Sequence, residues 1–462
     1  METPSSKVPP APHEIAAPPL QPERPVVWPV RTHTKLANGL EVVVVEHHAI
    51  PKFTGELFLR SGNAAVADRA TGLATITASV VRTGTVRRTS RQIEEDLRRM
   101  GADLSSSAGA DTSAIAVAGL AESADGLLAL MNELAREASF PEAEFERERR
   151  QLFEEVRIER TTPGFLASER LRKVLFGAHP YAQVSPTETQ VAAYRREELV
   201  ETYRSACQPG NALLILLGDF HADEMLARVE RVFGGWKGDK PQAPGAAEPP
   251  VLAGRRVFLV DLPGAVQTQV LIGCHAITRR HPDWIRLGLA NAIYGGAFNS
   301  RLVMNIREAK GYTYSPRSSV HALQQYGYFS IHAAVRNDVV AATLTEMFYE
   351  LDRMRALPVP DEELADARNY LSGVFSLGLA TQDGQLGQLS TLYLNDLPED
   401  YLEKYRERVR ALSADEVLAA ARTYFDSANA QIIVVGDRRQ VEAQARLFGP
   451  AEICDAHGTR PD

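Results

Sequence analysis

Three observations predict an α+β protein of two homologous domains, each a mostly antiparallel sheet with helices packed on one face. The first is an internal repeat. Gln431 to Asp437 (Gln-Ile-Ile-Val-Val-Gly-Asp) echoes the apolar run ending in Gly218-Asp219, so Gly436 falls 218 residues after Gly218. Gly288-Leu289-Ala290-Asn291 follows Gly72-Leu73-Ala74-Thr75 at a similar offset of 216 residues, and a shared offset implies a duplicated domain. The second is the Pro/Gly/Ala-rich stretch 238–254, the clearest linker in the chain. The third is size: 462 residues, 44% of them hydrophobic, suffice for two cores. The expected boundaries are a Pro-rich tail at 1–30, domains at 31–237 and 255–450 around the linker, and a tail at 451–462.

The elements follow in order. Asn38-Gly39 is a turn signal, and the β-branched run Glu41 to Glu46 reads as the strand after it. Phe53 to Arg60 alternates as a second strand. Leu73, Ile76, Thr77 and Val80 recur at helical spacing between Gly72 and Gly84, so a mostly buried helix is predicted there. Ser90 to Met100 reads as an amphipathic helix capped by Ser90 and stopped by Gly101. Strands at 102–107 and 112–120 precede a helix over about 122–138. Pro141 to Arg160 is a long charged helix with Phe145, Leu152, Phe153 and Val156 on one side; at about 100° per residue Glu155 flanks that stripe and Glu154 opposes it. Helices at 196–205, 361–377 and 413–425 complete the reading.

Composition narrows the function classes. A net charge of -8 lacks the basic footprint of a nucleic-acid binder. No apolar run reaches the roughly 18 residues of a membrane span. Cys207, Cys274 and Cys454 are too few for a disulfide framework or a Cys-based zinc cluster, although one pair could bridge. Nine of the 27 prolines lie in the first 30 residues, a composition that reads as an extended tail. It is also what remains after removal of a secretion signal, so a periplasmic location is expected, with a cytoplasmic one as the alternative.

The buried helix has a distinctive frame: Gly72-Leu73-Ala74, then Thr75-Ile76-Thr77-Ala78-Ser79, then Gly84-Thr85. It resembles the zinc-site helix of the pitrilysin/insulinase/mitochondrial-processing-peptidase family, in which the five central positions read His-x-x-Glu-His. There, two imidazoles one turn apart chelate zinc and the Glu activates its water. Here the ligand positions are Thr75 and Ser79 and the base position is Ala78. A hydroxyl is a poor zinc ligand and a methyl group moves no proton. Glu155-Val156 sits where the resemblance places the third ligand; taken alone, Glu155 reads as a surface carboxylate on a charged helix. The loop His179-Pro180-Tyr181, a helix, then Pro209-Gly210-Asn211 and an apolar strand ending in Gly218-Asp219 continue the likeness; alone, His179 reads as a loop-packing residue. His47 and His48 are adjacent and His275 and His281 six apart, so no other His pair has ligand spacing, and no metal is expected in this chain.

A second motif survives. Asn299 to Ser315 contains Ser300-Arg301-Leu302, then Arg307-Glu308-Ala309-Lys310-Gly311-Tyr312-Thr313-Tyr314. Leu302, Val303 and Ile306 give a helix face, Lys310-Gly311 a helix stop, and a following strand would carry Tyr312 and Tyr314 on one face. Arg307 in the last turn then lies close to Tyr314. Taken alone, Arg307 would pair with an acid and Tyr314 would be a half-buried aromatic. The run resembles the family's Ser-Arg-Leu…Arg-Glu-x-x-Gly-x-x-Tyr signature, whose Arg and Tyr, seven apart, complete the active site from the domain opposite the zinc. The resemblance implies catalytic roles for Arg307 and Tyr314 and substrate contacts for Arg301 and Tyr312. Tyr312 stands where the family has an aliphatic residue, leaving open which Tyr reaches the substrate. Gly295-Gly296 just upstream suggests a flexible glycine loop.

The likeness spans about 35–437 and implies the non-zinc subunit of the two-chain bacterial type. It would form half of a clamshell around unfolded or short peptides, with a homologous zinc-binding subunit as the heterodimer partner. This chain would then carry no cofactor and be inactive alone. The alternatives are a non-catalytic structural or peptide-binding subunit and a homodimer that binds peptides by strand addition.

Overall fold

The computed structural model describes residues 28–241 and 245–459. Most of the expected N-terminal tail, residues 1–27, lies outside the described residues.

The first half contributes β1 (Arg31–Lys35), β2 (Glu41–Glu46), β3 (Lys52–Leu59), β4 (Asp103–Ala108), β5 (Ser113–Leu120) and β6 (Ala212–Gly218). Their spatial order is β1-β2-β6-β3-β5-β4, antiparallel throughout except for the β2/β6 pair. At Asn38-Gly39 the chain reverses between β1 and β2; Gly39 adopts φ +95°, and the Leu40 N–H donates to Asn38 Oδ1 at 3.1 Å. The second half contributes β7 (Arg256–Asp261), β8 (Gln267–Ala276), β9 (Arg317–Ala322), β10 (Gly327–Arg336), β11 (Gln431–Gly436) and β12 (Ala451–Cys454), in the order β12-β7-β11-β8-β10-β9. The run β2-β6-β3-β5-β4 is thus reproduced as β7-β11-β8-β10-β9, which is the duplication the sequence predicts. The sixth strand differs. In the first sheet it is an antiparallel N-terminal strand; in the second it is β12, parallel to β7 and drawn from the segment expected as a tail.

The helices of the first half are α1 (Leu73–Val81), α2 (Ser90–Met100), α3 (Ala124–Arg136), α4 (Glu142–Glu159), α5 (Pro163–Phe176), α6 (Glu188–Ala193), α7 (Arg196–Ala206) and α8 (Ala222–Phe233). Those of the second are α9 (Trp284–Asn291), α10 (Val340–Ala356), α11 (Asp361–Gly378), α12 (Gln382–Leu394), α13 (Tyr401–Ala411), α14 (Ala414–Tyr424) and α15 (Arg438–Ala445). The cap of α2 is Thr89 rather than Ser90. Its hydroxyl accepts from the Gln92 N–H while the Gln92 side chain accepts from the Thr89 N–H, a reciprocal pair that starts the helix one residue earlier.

Helices on one face of each sheet prove to be half of the arrangement. Period-two alternation sends Val42, Val44, Leu214 and Leu216 to one face, where they pack with Leu73, Ile76 and Val80 of α1 and Leu127 and Met131 of α3. Val43, Val45, Leu213, Ile215 and Leu217 point the other way and are covered by Leu386, Leu389 and Leu392 of α12, from the opposite half. The second sheet is treated reciprocally: Phe258, Val260, Leu271, Ile433 and Val435 pack under Leu166, Leu171 and Leu175 of α5. This exchange explains why β6 and β11 are buried along their whole length and read as unbroken apolar runs rather than alternating ones. The three cysteines are all buried and free, so no pair bridges. No helix among the described residues is long and apolar enough to cross a membrane.

Candidate functional site

α1 packs against α4, which brings the positions singled out in the first half to neighbouring helices. Their polar atoms are engaged locally. Thr75 Oγ1 accepts from Asn63 Nδ2 at 2.8 Å, and the Thr75 N–H donates to Asn63 Oδ1 at 3.3 Å. Ser79 Oγ donates back to the Thr75 carbonyl at 3.3 Å. Ala78 is buried. Glu155 is exposed and accepts from Gln151 Nε2, one turn before it, at 2.9 Å. Two hydroxyls, a methyl and a solvated carboxylate do not make the donor set of a zinc ion. His179 is buried as a loop-packing residue: Nδ1 accepts from the Tyr181 N–H at 3.1 Å and Nε2 lies 3.1 Å from Gln325 Oε1.

The second motif is built differently from its sequence-predicted form. The chain after α9 runs on as a π-helical turn over Ala292–Gly296, and a second π-helical segment covers Val303–Ala309. Segments of this kind are rare and concentrate at functional sites, because the extra residue per turn re-aims side chains. Gly295-Gly296 is not a flexible loop. A Cβ on Gly295 would fall 2.6 Å from both Leu302 Cδ1 and Ser318 Oγ, and one on Gly296 2.6 Å from Asn291 Nδ2. Both glycines are there for close packing.

The stop at Lys310-Gly311 forms as expected: Gly311 takes φ +64°, and its N–H donates to the Arg307 carbonyl at 3.0 Å. The predicted strand through Tyr312 and Tyr314 does not form; β9 begins only at Arg317. Between them the chain is pinned by Thr313 Oγ1, which donates to the Ala334 carbonyl at 2.6 Å. Tyr312 therefore turns inward against the second core, while Tyr314 stands 78% exposed. Tyr312, for which a substrate contact is expected, is thus half-buried against the second core. Arg301 is engaged within the chain: Nε and one terminal nitrogen reach the two oxygens of Glu363 at 2.8 and 2.7 Å, a bidentate pair that ties this segment to α11.

Arg307 and Tyr314 do come together. The Arg307 guanidinium carbon lies 4.5 Å from the Tyr314 ring centroid and 5.1 Å from that of Phe298. Its Nε also meets Glu308 Oε1 at 3.2 Å. Phe298 is 67% exposed, and Met304 is exposed nearby in sequence on the π-helical segment. The Arg307 guanidinium thus lies within cation–π range of two aromatic rings near the protein surface, with donors left over for a ligand. Phe298 escaped the sequence reading because Ala297-Phe298 sits in a non-periodic joint between two π-helical turns. Its one signal was a large aromatic beside a glycine pair.

Residues 42–183 match the family model described as insulinase (peptidase family M16), and residues 194–371 match that of the peptidase M16 inactive domain. The chain is 22% identical over 407 residues to an uncharacterized zinc protease of Rickettsia felis, covering 87% of this chain and 96% of that one. It is 19% identical over 389 residues to the uncharacterized zinc protease YmxG of Bacillus subtilis, covering 84% and 94%. Among solved structures, a peptidase M16 inactive domain from Pseudomonas fluorescens superposes with a TM-score of 0.82 at 25% identity, covering 88% of this chain and 98% of that one. A protease from Helicobacter pylori shares the fold, with a TM-score of 0.82 at 18% identity over 88% and 100% of the two chains.

Proposed function

Because this chain belongs to the insulinase (M16) family of peptidases, we propose that it acts as the non-zinc subunit of a heterodimeric peptidase. It would present Arg307 and Tyr314 to a peptide held at the zinc of a homologous partner. The observation that carries this reading is an asymmetry. The family's zinc positions hold Thr75, Ala78, Ser79 and a solvated Glu155, which do not fit the ion, whereas Arg307 and Tyr314 are in contact, Tyr314 exposed and Arg307 partly so. No step of the reaction is therefore assigned to a metal in this chain.

What its own residues do follows from their chemistry. The Tyr314 hydroxyl is free to donate to the oxyanion that develops when a peptide carbonyl is attacked. Arg307, in contact with the rings of Phe298 and Tyr314, pairs with a backbone carbonyl or a terminal carboxylate and fixes the peptide's register. The expected substrates are short or unfolded peptides, and the expected compartment is the periplasm.

The test is reconstitution with a zinc-binding homologue from the same host. Tyr314→Phe and Arg307→Ala are each expected to lower turnover about 100- to 1000-fold, the scale of a lost oxyanion donor. The isolated chain is expected to cleave nothing. Unchanged turnover in both variants would favour the second reading, a structural or peptide-holding subunit, which the inactive-domain match over 194–371 supports.

A further inference from the structure

Glu46-His47-His48 and Asp219-Phe220-His221 are two acid-x-His triplets, separated in sequence but adjacent in space. They lie at the C-terminal ends of β2 and β6, neighbouring parallel strands in which Glu46 is paired with Gly218. The His47 N–H donates to the Gly218 carbonyl at 2.8 Å and locks the two turns together. As a result one ligand atom each of Glu46, His48 and His221 lies within 4.8 Å of the others.

We propose that Glu46, His48 and His221 bind one divalent transition-metal ion of the zinc type, with Asp219 orienting His48. The geometry is that of a site already organised. His48 Nδ1 lies 2.7 Å from Asp219 Oδ1, and its Nε2 lies 3.1 Å from Glu46 Oε2. With Nδ1–H donated to Asp219, a metal ion would displace the proton that Nε2 shares with Glu46 and take up its lone pair, the carboxylate–histidine–metal arrangement that fixes tautomer and ring direction. The 3.1 Å between Nε2 and Oε2 is close to the separation of two ligands on one tetrahedral ion with bonds of about 2.0–2.1 Å. Glu46 is itself oriented, since its other oxygen accepts from the Ala222 N–H at 2.7 Å at the start of α8. Two imidazoles and a carboxylate select zinc, nickel or cobalt over magnesium or calcium, which favour all-oxygen shells. The site is open on its solvent side, leaving a fourth position for water. It shares no residue with Thr75, Ser79 and Glu155, and it stands independently of the function proposed above.

The experiment uses the untagged full chain, stripped with chelator and titrated with zinc chloride by calorimetry; cobalt absorption reports the coordination. One equivalent of zinc is expected. His48→Ala and His221→Ala should each weaken binding at least about tenfold, and Asp219→Asn should weaken it by roughly tenfold or more while preserving stoichiometry. These side chains are partly or fully exposed, so unchanged circular dichroism will show that the variants fold. Glu155→Ala is expected to leave zinc binding untouched. The proposal is overturned if no stoichiometric zinc binds, or if affinity is unmoved in both histidine variants. It is equally overturned if Glu155→Ala abolishes binding, a result that would also remove the premise of the proposed function.

Discussion

Glu56 lies on β3 between Thr54, which donates to Gln382 of α12 at 3.0 Å, and Phe58, which packs in the same interface. Burial there, with Asp383 nearby, pushes its carboxyl from the usual 4.5 up to about 7. Because the folded-state value is raised, the native protein holds a proton that the unfolded chain releases. The associated stability is present in full below pH 4.5 and is lost as the pH rises through about 7. Glu56→Gln should abolish that slope and stabilise the protein at pH 8 by about 2 kcal/mol, allowing for the partial exposure of the group. Urea titrations of both proteins at pH 5 and pH 8 check it; parallel pH dependence would refute the assignment. At the same scale, Phe298 is a positioning residue, since it touches Arg307 rather than any reacting atom. Under the proposed function, Phe298→Ala should raise KM roughly two- to fivefold, the equivalent of one exposed cation–π contact, with less effect on kcat.

Among the elements, the two π-helical segments set the most specific demand. Gly295→Ala drives a methyl group into Leu302, Ser318 and the Ser318 backbone nitrogen, the last at 2.9 Å, and backbone cannot swing away. The expected cost is about 1–3 kcal/mol. Gly311→Ala is the contrast, because nothing lies within 4 Å of its Cβ position and only the φ of +64° is strained, at about 1 kcal/mol. Thermal or urea melts of the pair separate packing from backbone strain. Thr89→Ala, which removes one member of the reciprocal cap on α2, should cost about 1 kcal/mol in the same assay.

These elements also show what could be read in advance. α1, α2, α4, α11 and α14 announce themselves by apolar periodicity and stop signals, and β2, β6 and β11 by dense β-branched or aliphatic runs. The π-helical segments have no such period, and the stretch after Gly311 looked like a strand because Tyr312 and Tyr314 alternate. In the fold, one Thr313 hydrogen bond turns the first inward and the second outward. The closeness of Arg307 and Tyr314 was legible because they are seven residues apart across a single turn, while the roles expected of them are implied by the family resemblance alone. The Glu46, His48 and His221 group was not, since its halves are 171 residues apart at His48 and Asp219 and only strand adjacency joins them.

For the molecule as a whole, the exchange of covering helices decides its behaviour. α5 seals the second sheet and α12 the first, so neither half can bury its sheet alone. Leu171 illustrates the fit: a Cβ on Gly273 would come within 2.7 Å of it. Leu171→Ala should destabilise the whole protein, rather than one half, by about 2–5 kcal/mol. A single shifted unfolding transition is expected in calorimetry, and two resolved transitions would contradict it. Residues 28–241 expressed alone should expose Val43, Val45, Leu213, Ile215 and Leu217 and bind a hydrophobic dye or aggregate.

Mutual sealing of this kind has a mechanical outcome. Rotating one half against the other would strip α5 and α12 from the sheets they cover and wet two apolar layers at once. The chain therefore behaves as one stiff shell with no joint at its waist. Under the proposed function, any gape wide enough to admit a polypeptide would therefore have to open at the seam with the partner subunit, and access to the cavity would be governed by association and release of the two chains.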